Sequence, residues 1–383
     1  MKRIAVMIET SRAYGRALME GVAAHAQAAG DWKLRSLGDG RPTSARLREY
    51  DGVILRLADR KTAATLVRAG IPAVDVYGDA FGGPLAIADG DHEKTGEMAA
   101  EFFLKRGFSH LAWCGIDGLS FSDRRGSAFC RSVERQGLKP LRYVRPRRLR
   151  ADSSLFYDER LDRIPDAREL SVWLLSLPHP TAVFCCHDYR AYQLMLVAQD
   201  LKLRIPNDLA ILGVDNDTTL CSFAPVPLSS IDPDAFSVGR RAAETLDGLM
   251  ANEGRPNHAA NVAVPPLRIV ERESTEFIPT EAPWLSDALM FVEKNYTHDI
   301  SAADVIRRVG KSSTYIERIF RRKTGLSVQA YLTRLRMEAA ERLLQTTDLM
   351  VKEIGLRCGY RSPQYFCRAF TAYYGRRPLS VRS

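Results

Sequence analysis

Five short apolar runs, Ile4 to Ile8, Gly52 to Leu57, Leu111 to Cys114, Ala182 to Cys186 and Ala210 to Val214, constrain the chain more than any other feature. Between and around them lie stretches of helical spacing: Arg16 to Ala29, His92 to Lys105, Arg124 to Gln136, Tyr189 to Leu201 and Phe236 to Met250. A strand that is apolar at every residue is buried on both faces, and helices between such strands bring them parallel. The pattern predicts a doubly wound α/β body, long enough for two lobes. No run approaches the roughly 18 to 20 apolar residues of a membrane span. The opening Met1-Lys2-Arg3 and Ile4 to Ile8 imitate a signal peptide, but the run stops at Glu9, short of an h-region. Seven cysteines with no C-x-x-C pair, and an adjacent Cys185-Cys186, predict reduced thiols rather than disulfides or a zinc site, and so a cytoplasmic protein.

The pattern changes near the end. Two prolines in Phe277-Ile-Pro-Thr-Glu-Ala-Pro-Trp284 mark a linker, placed at 278–284 between a body at 1–277 and a tail at 285–383. From Trp284 onward 18 Lys and Arg face 9 Asp and Glu, which leaves the preceding residues neutral and the whole +9 in the tail. That asymmetry suits a sensing body joined to a nucleic-acid-binding module. The tail reads as helices only, near 285–296, 301–308, 312–323, 327–345, 350–357 and 362–374, with a short turn from about 378. Ser301, Ser312 and Ser362 are placed to cap, and Gly310, Gly325, Gly359 and Gly375 to end, these helices.

Within the tail a unit repeats at a spacing of fifty residues. Tyr315-Ile316-Glu317-Arg318-Ile319-Phe320 aligns with Tyr365-Phe366-Cys367-Arg368-Ala369-Phe370, each after a Gly-containing turn and each ending in glycine. Ile316, Ile319 and Phe320, or Phe366, Ala369 and Phe370, make an apolar stripe and leave Arg and Gln on the other face, the types that read guanine and adenine edges in the major groove. These hundred residues, above all Ile354, Cys358-Gly359-Tyr360, Ser362-Pro363-Gln364-Tyr365-Phe366, Arg368, Phe370, Gly375 and Pro378, resemble the DNA-binding domain of the AraC/XylS family. The resemblance implies two helix-turn-helix units joined by a long helix. It puts base reading at Thr314, Glu317, Arg318, Gln364, Cys367 and Arg368, and phosphate contact at Ser312, Arg321, Arg322, Arg361 and Arg377. Thr371, where that family commonly has Lys, and Ile306, where a small residue is usual, depart from its pattern. Tyr315 and Tyr365 are expected to pack rather than to read bases.

In the body, Ile205 to Asn216 runs from a turn along a buried strand to acids at the strand's C-terminal end, and Phe184-Cys185-Cys186-His187-Asp188 repeats that placement. Open α/β sheets bind ligands at such ends. With Asp91 to Gly96, Arg125-Gly126 and Asp234 to Leu246, these segments resemble the periplasmic-binding-protein-like sensor of LacI/GalR repressors. The resemblance implies lobe 1 at about 1–107 and 230–252, and lobe 2 at about 108–229 and 253–277. Asp91, Arg125, His187 and Asp215 then contact ligand hydroxyls, with Asp188 and Arg190 behind them, Phe121 as a ring-stacking wall, and Arg12 or Tyr14 as a lid. Arg124 can replace Arg125 if the register slips by one, and Asp188 can instead cap a helix starting near Tyr189.

The joined resemblance implies a transcription regulator with a sugar effector, D-xylose or a related monosaccharide. It implies promoter DNA as partner, a homodimer, RNA polymerase as a further partner if the protein activates, and no cofactor or metal. Enzyme chemistry has no support. The chain lacks both G-x-x-x-x-G-K-[ST] and G-x-G-x-x-G, and the neighbours Cys186, His187 and Asp188 on an extended strand would point to alternate faces.

Overall fold

The computed structural model describes residues 1–38, 43–56, 60–78, 85–146, 164–251, 261–276 and 283–381. The chain divides into two compact units, Met1–Glu276 and Phe277–Ser383.

The first unit holds two six-stranded sheets. One comprises β1 (Lys2–Met7), β2 (Trp32–Ser36), β3 (Gly52–Leu55), β4 (Ala73–Asp75), β5 (Ala86–Gly90) and β11 (Val262–Val264), in the order β11-β5-β4-β3-β1-β2. The other comprises β6 (Leu111–Ile116), β7 (Leu141–Arg145), β8 (Thr181–Cys185), β9 (Leu209–Val214), β10 (Ser229–Asp232) and β12 (Arg268–Val270), in the order β12-β10-β9-β8-β6-β7. Every pairing is parallel except β10 with β12. The helices are α1 (Ala13–Ala29), α2 (Ser44–Leu47), α3 (Arg60–Ala69), α4 (His92–Lys105), α5 (Ser120–Glu134), α6 (Ala167–Ser176), α7 (Asp188–Asp200), α8 (Thr218–Phe223) and α9 (Ala235–Ala251). The uninterrupted apolar strands are buried as expected: β6, β8 and β9 are buried at every residue.

Lobe membership differs from the expected division. β11 pairs with β5 in the first sheet, so 253–277 does not belong to the second lobe as a block. β10 lies in the second sheet, so the return to the first lobe follows Asp232 rather than preceding 230. α4 packs along α5, where Gly96 leaves no room for a Cβ beside the Arg125 carbonyl at 2.3 Å, so the first crossing falls near Asp91 rather than at 107. Each crossing is set by strand pairing or helix packing between residues far apart in sequence, which apolar periodicity does not report.

The second unit is helical: α10 (Pro283–Asn295), α11 (Ala302–Val309), α12 (Ser313–Thr324), α13 (Val328–Thr346), α14 (Val351–Arg357) and α15 (Pro363–Tyr374), then a 3₁₀ turn at Pro378–Val381. The expected linker lies outside the described residues except for Pro283 and Trp284, which already belong to α10; proline suits the first helical position. Ser301 and Ser362 cap α11 and α15 through their hydroxyls, whereas Ser312 holds the cap position of α12 without a side-chain cap bond. Gly310, Gly325 and Gly375 end their helices in the left-handed conformation; at the end of α14 that ending residue is Cys358, with Gly359 just beyond.

Two apolar clusters build this unit. Val305, Ile316, Phe320 and Leu332 anchor one, and Met337, Ile354, Phe366 and Phe370 the other, so α13 supplies both. Arg336 ties the halves together: its guanidinium donates to the carbonyls of Tyr296 (2.8 Å), His298 (2.7 Å) and Ile300 (3.0 Å). A Cβ on Gly359 would lie 2.5 Å from the His298 carbonyl, so only glycine allows this backbone approach.

Candidate effector cleft and DNA-reading faces

A cleft of about 530 Å³, part of it open to solvent, lies between the two sheets at the C-terminal ends of their strands. The first lobe lines it with Arg12 and Tyr14 after β1, Arg56 after β3, Val76 and Tyr77 after β4 and Asp89 on β5, and His92 opens α4 where the chain crosses to the second lobe. The second contributes Leu119, Phe121 and Arg125 after β6, His187 after β8 and Asp215 after β9.

Arg56 Nη1 meets Glu9 Oε1 at 2.8 Å, and the guanidinium lies against the rings of Tyr14 and Tyr77. His92 Nε2 bonds Asp89 Oδ2 at 2.9 Å, while Asp89 Oδ1 accepts from the Gly90 amide. Burial opposes the charge on Asp89, but His92 and that amide prevail and hold its carboxyl below the usual range. Burial also lowers His92 despite its acid partner. A neutral His92 therefore donates through Nε2.

Arg125 Nη1 donates to the Cys186 carbonyl at 2.6 Å, and its guanidinium lies over Phe121. His187 caps α7, its Nδ1 accepting from the Arg190 amide at 3.0 Å. That bond requires a bare Nδ1, so a neutral His187 carries its proton on Nε2. Asp215 has a left-handed backbone, φ 110°. Burial raises its carboxyl against the opposing charges of Arg125, His187, Arg56 and Arg12. Phe121 sits between Tyr77, His92 and His187, with ring centroids about 6 Å away. Arg12 reaches the ring of Tyr189, 4.2 Å from its centroid. Around this one cleft, the buried Tyr14 Oη, His92 Nδ1 and Arg125 Nε have no hydrogen-bond partner among the described residues.

The structure thus brings Arg12, Tyr14, Phe121, Arg125, His187 and Asp215 together and places Asp91, Asp188 and Arg190 elsewhere. Asp91 caps α4, its carboxylate accepting from the Lys94 amide at 2.8 Å, and Asp89, two residues earlier, faces the cleft. Asp188 is wholly buried and opens α7 rather than capping it, because the cap is His187. Its Oδ1 accepts from Ser230 Oγ (2.6 Å) and its Oδ2 from the Asp217 amide (2.9 Å), which fixes the loop after Asp215 from behind. Arg190 is buried against Asp166, with Nη2 to Oδ2 at 2.6 Å, away from the cleft. Arg125 rather than Arg124 lines the cleft.

The sequence motifs do not single out Arg56, Tyr77, Asp89 or His92 as cleft residues. Arg56 follows an apolar strand just as His187 does, a signal that was there to find. Tyr77 and Asp89 sit on or beside strands too short and mixed to register as apolar runs.

On the DNA-binding unit, Thr314, Arg318 and Arg321 of α12 are exposed, and so are Gln364 and Arg368 of α15; spacing of three and four puts each set on one face. Ser312, Arg322, Arg361 and Arg377 are exposed as well. Arg361 pairs with Asp299. Glu317 differs from the expected base reader: it is half-buried, with Oε2 3.4 Å from the Val328 amide at the start of α13, where a helix N-terminus attracts a carboxylate. Cys367 is half-buried too. Tyr315 lies against Trp284, whereas Tyr365 is 63% exposed beside Tyr360, so the expected packing holds more for the first.

Comparison with known proteins agrees with this division. Residues 100–275 match the family described as periplasmic binding protein-like domain, and residues 305–383 the helix-turn-helix domain. The chain is a DNA-binding transcription regulator, not an enzyme, with a periplasmic-binding-protein-like sensor ahead of an AraC-type helix-turn-helix domain. It is homologous over its full length to xylose operon regulatory proteins. The identity is 26% with that of Escherichia coli (strain K12), covering 99% of this chain and 96% of the relative. With that of Haemophilus influenzae it is 25%, covering 99% and 98%. Among solved structures it is similar to the xylose-binding transcription activator xylR: TM-score 0.69, 25% identity, covering 100% of this chain and 97% of that one. The complex of the regulator CelR with cellobiose shares the fold, at TM-score 0.58 and 20% identity over 72% of this chain and 84% of that one.

Proposed function

We propose that this regulator senses a monosaccharide, D-xylose before other pentoses, and controls the genes for its use. The supporting observation is the set of three unpartnered buried atoms, Tyr14 Oη, His92 Nδ1 and Arg125 Nε, around one cleft. Buried polar groups in native proteins are almost always satisfied, so such a set calls for a ligand rich in hydroxyls. Asp89 and Asp215 accept from hydroxyls, the guanidinium of Arg125 and Nε2–H of His187 donate, and Phe121 offers an apolar ring face. A xylose-binding activator among the full-length relatives favours D-xylose.

Contacts from both lobes stabilise the lobes' closure on the sugar, and closure alters how two copies present their tails in a homodimer. Thr314, Arg318, Gln364 and Arg368 read bases, and Ser312, Arg321, Arg322, Arg361 and Arg377 hold phosphates. The two recognition helices of one tail enter major-groove segments about one turn, roughly 34 Å, apart. Acting in the cytoplasm as an activator, the bound dimer meets RNA polymerase.

Isothermal titration with D-xylose, L-arabinose, D-ribose and D-glucose tests the sensor. Saturable binding of D-xylose, lost in Asp215→Ala, is expected. Folded, DNA-binding protein that is silent to all four would overturn the sugar reading. Sedimentation of a monomer with and without sugar would remove the dimer.

A further inference from the structure

Behind the cleft, Arg272 links segments far apart along the chain. It lies at the end of the sensor unit, four residues before Glu276, after which the chain continues into the DNA-binding unit. Its Nη2 donates to Asn216 Oδ1 at 2.8 Å and its Nη1 to the Leu228 carbonyl at 2.8 Å. Asn216 directly follows the cleft residue Asp215.

This loop is strained. Asp215 and Asn216 are consecutive non-glycine residues with φ of 110° and 46°. Such backbone persists only where its surroundings over-determine it. Four anchors are local to the lobe: the Asp215 amide donates to the Ile231 carbonyl (3.0 Å), the Asn216 amide to Ser230 Oγ (3.0 Å), Asn216 Nδ2 to Asp232 Oδ2 (3.5 Å) and the Asp217 amide to Asp188 (2.9 Å). A further anchor is Arg272, and among the described residues it alone joins the loop to the exit segment.

That segment is itself stapled to the strands. The Arg272 amide donates to Ser229 Oγ at 2.7 Å, the Ser229 amide to Ser274 Oγ at 2.8 Å, and Ser274 Oγ to the Ile211 carbonyl at 2.6 Å. Ser274 and Thr275 are buried. A displacement of Asp215 therefore reaches the exit segment through a continuous hydrogen-bonded path with few soft links.

We propose that the Arg272–Asn216 clamp is the coupling element of this regulator, transmitting occupancy of the cleft at Asp215 to the segment that leads into the DNA-binding unit. The proposal rests on the sensor reading above. Arg272 is a positioning residue: it does not line the cleft.

Two variants separate coupling from folding. Arg272→Lys keeps the charge but cannot bridge Asn216 and Leu228 together, and Asn216→Gly removes the acceptor while suiting a positive φ. With full-length protein, affinity for a promoter fragment selected by the wild type is measured with and without saturating D-xylose, alongside titration of the sugar itself. Wild-type protein is expected to show a sugar-induced ratio within the usual range of about 5- to 150-fold. Both variants should melt cooperatively, keep sugar-free DNA affinity and bind D-xylose within about fivefold of wild type, yet show a ratio below about twofold. The double variant should be no worse than either single one. A wild type that responds while both variants respond equally overturns the clamp alone. A wild type that binds no sugar overturns the sensor reading, and the clamp with it.

Discussion

The candidate effector cleft and the candidate DNA-reading faces are both polar surfaces, which the proposed function assigns to polar partners, yet they are built oppositely. In the cleft, Arg12, Arg125 and His187 are each under one-tenth exposed, and Arg125 and His187 are held by a backbone atom. On the recognition helices, Arg318, Gln364 and Arg368 are exposed on faces whose opposite sides, Ile316 with Phe320 and Phe366 with Phe370, are fully buried. A small neutral ligand offers only a few hydroxyls, so discrimination requires donors and acceptors fixed in place before it arrives. DNA carries its own charge, and long exposed side chains find phosphates and base edges without prior burial. Substitutions in the cleft should therefore act by leaving buried groups unpaired, and those on the helices by deleting single contacts.

The sharpest break of this contrast is Asp215→Ala. Removing the carboxylate leaves Arg125 and His187 with an uncompensated arrangement, so effector affinity should fall by about 3 kcal/mol, on the order of a hundredfold, while DNA affinity without effector stays put. Titration calorimetry beside a DNA-binding assay reads both. Next, Arg368→Ala should cost about 1 to 3 kcal/mol on specific DNA and little on random sequence, with effector binding unchanged; equal losses on both DNAs would remove its base-reading role.

A third effect is pH-dependent and confined to the sensor. Burial, then the charge of Asp215, push Asp188 up to about 8 from a usual 3.8. The folded state then binds more protons than the unfolded one between those two values, so stability falls as pH rises through that window and levels off above it. Urea unfolding at pH 6 and pH 8 should show the wild type losing up to about 1 kcal/mol per pH unit relative to Asp188→Asn, in which this slope is absent. Smallest of all, Arg377→Gln should weaken every DNA sequence alike by under about 1 kcal/mol and lower the salt slope by about 1.

The legibility of the two regions in the sequence follows the same contrast. The tail's helices stand within two residues of the ranges its spacing predicts, because caps, glycine stops and three- and four-residue stripes are local signals. His187 and Asp215 are legible because each follows an apolar strand, whereas Arg125, within α5, is implied only by the family resemblance. Asp89 was passed over for Asp91, two residues on. Both are acids near one strand end, but the pleat and the start of α4 turn one into the cleft and make the other a cap. Arg190 and Glu317 have suitable chemistry at suitable places, and only packing shows that one is spent on Asp166 and the other on α13.

By itself the sequence determined the parallel α/β body, the paired helix-turn-helix units and the placing of all the net charge on the latter, since each depends on residues within a few turns or strands of one another. Tertiary structure alone decided where the chain crosses between lobes, which side chains share the cleft, and that Arg272 holds Asn216. Those choices depend on strand register and on contacts between residues tens to hundreds of positions apart, for which local spacing carries no signal.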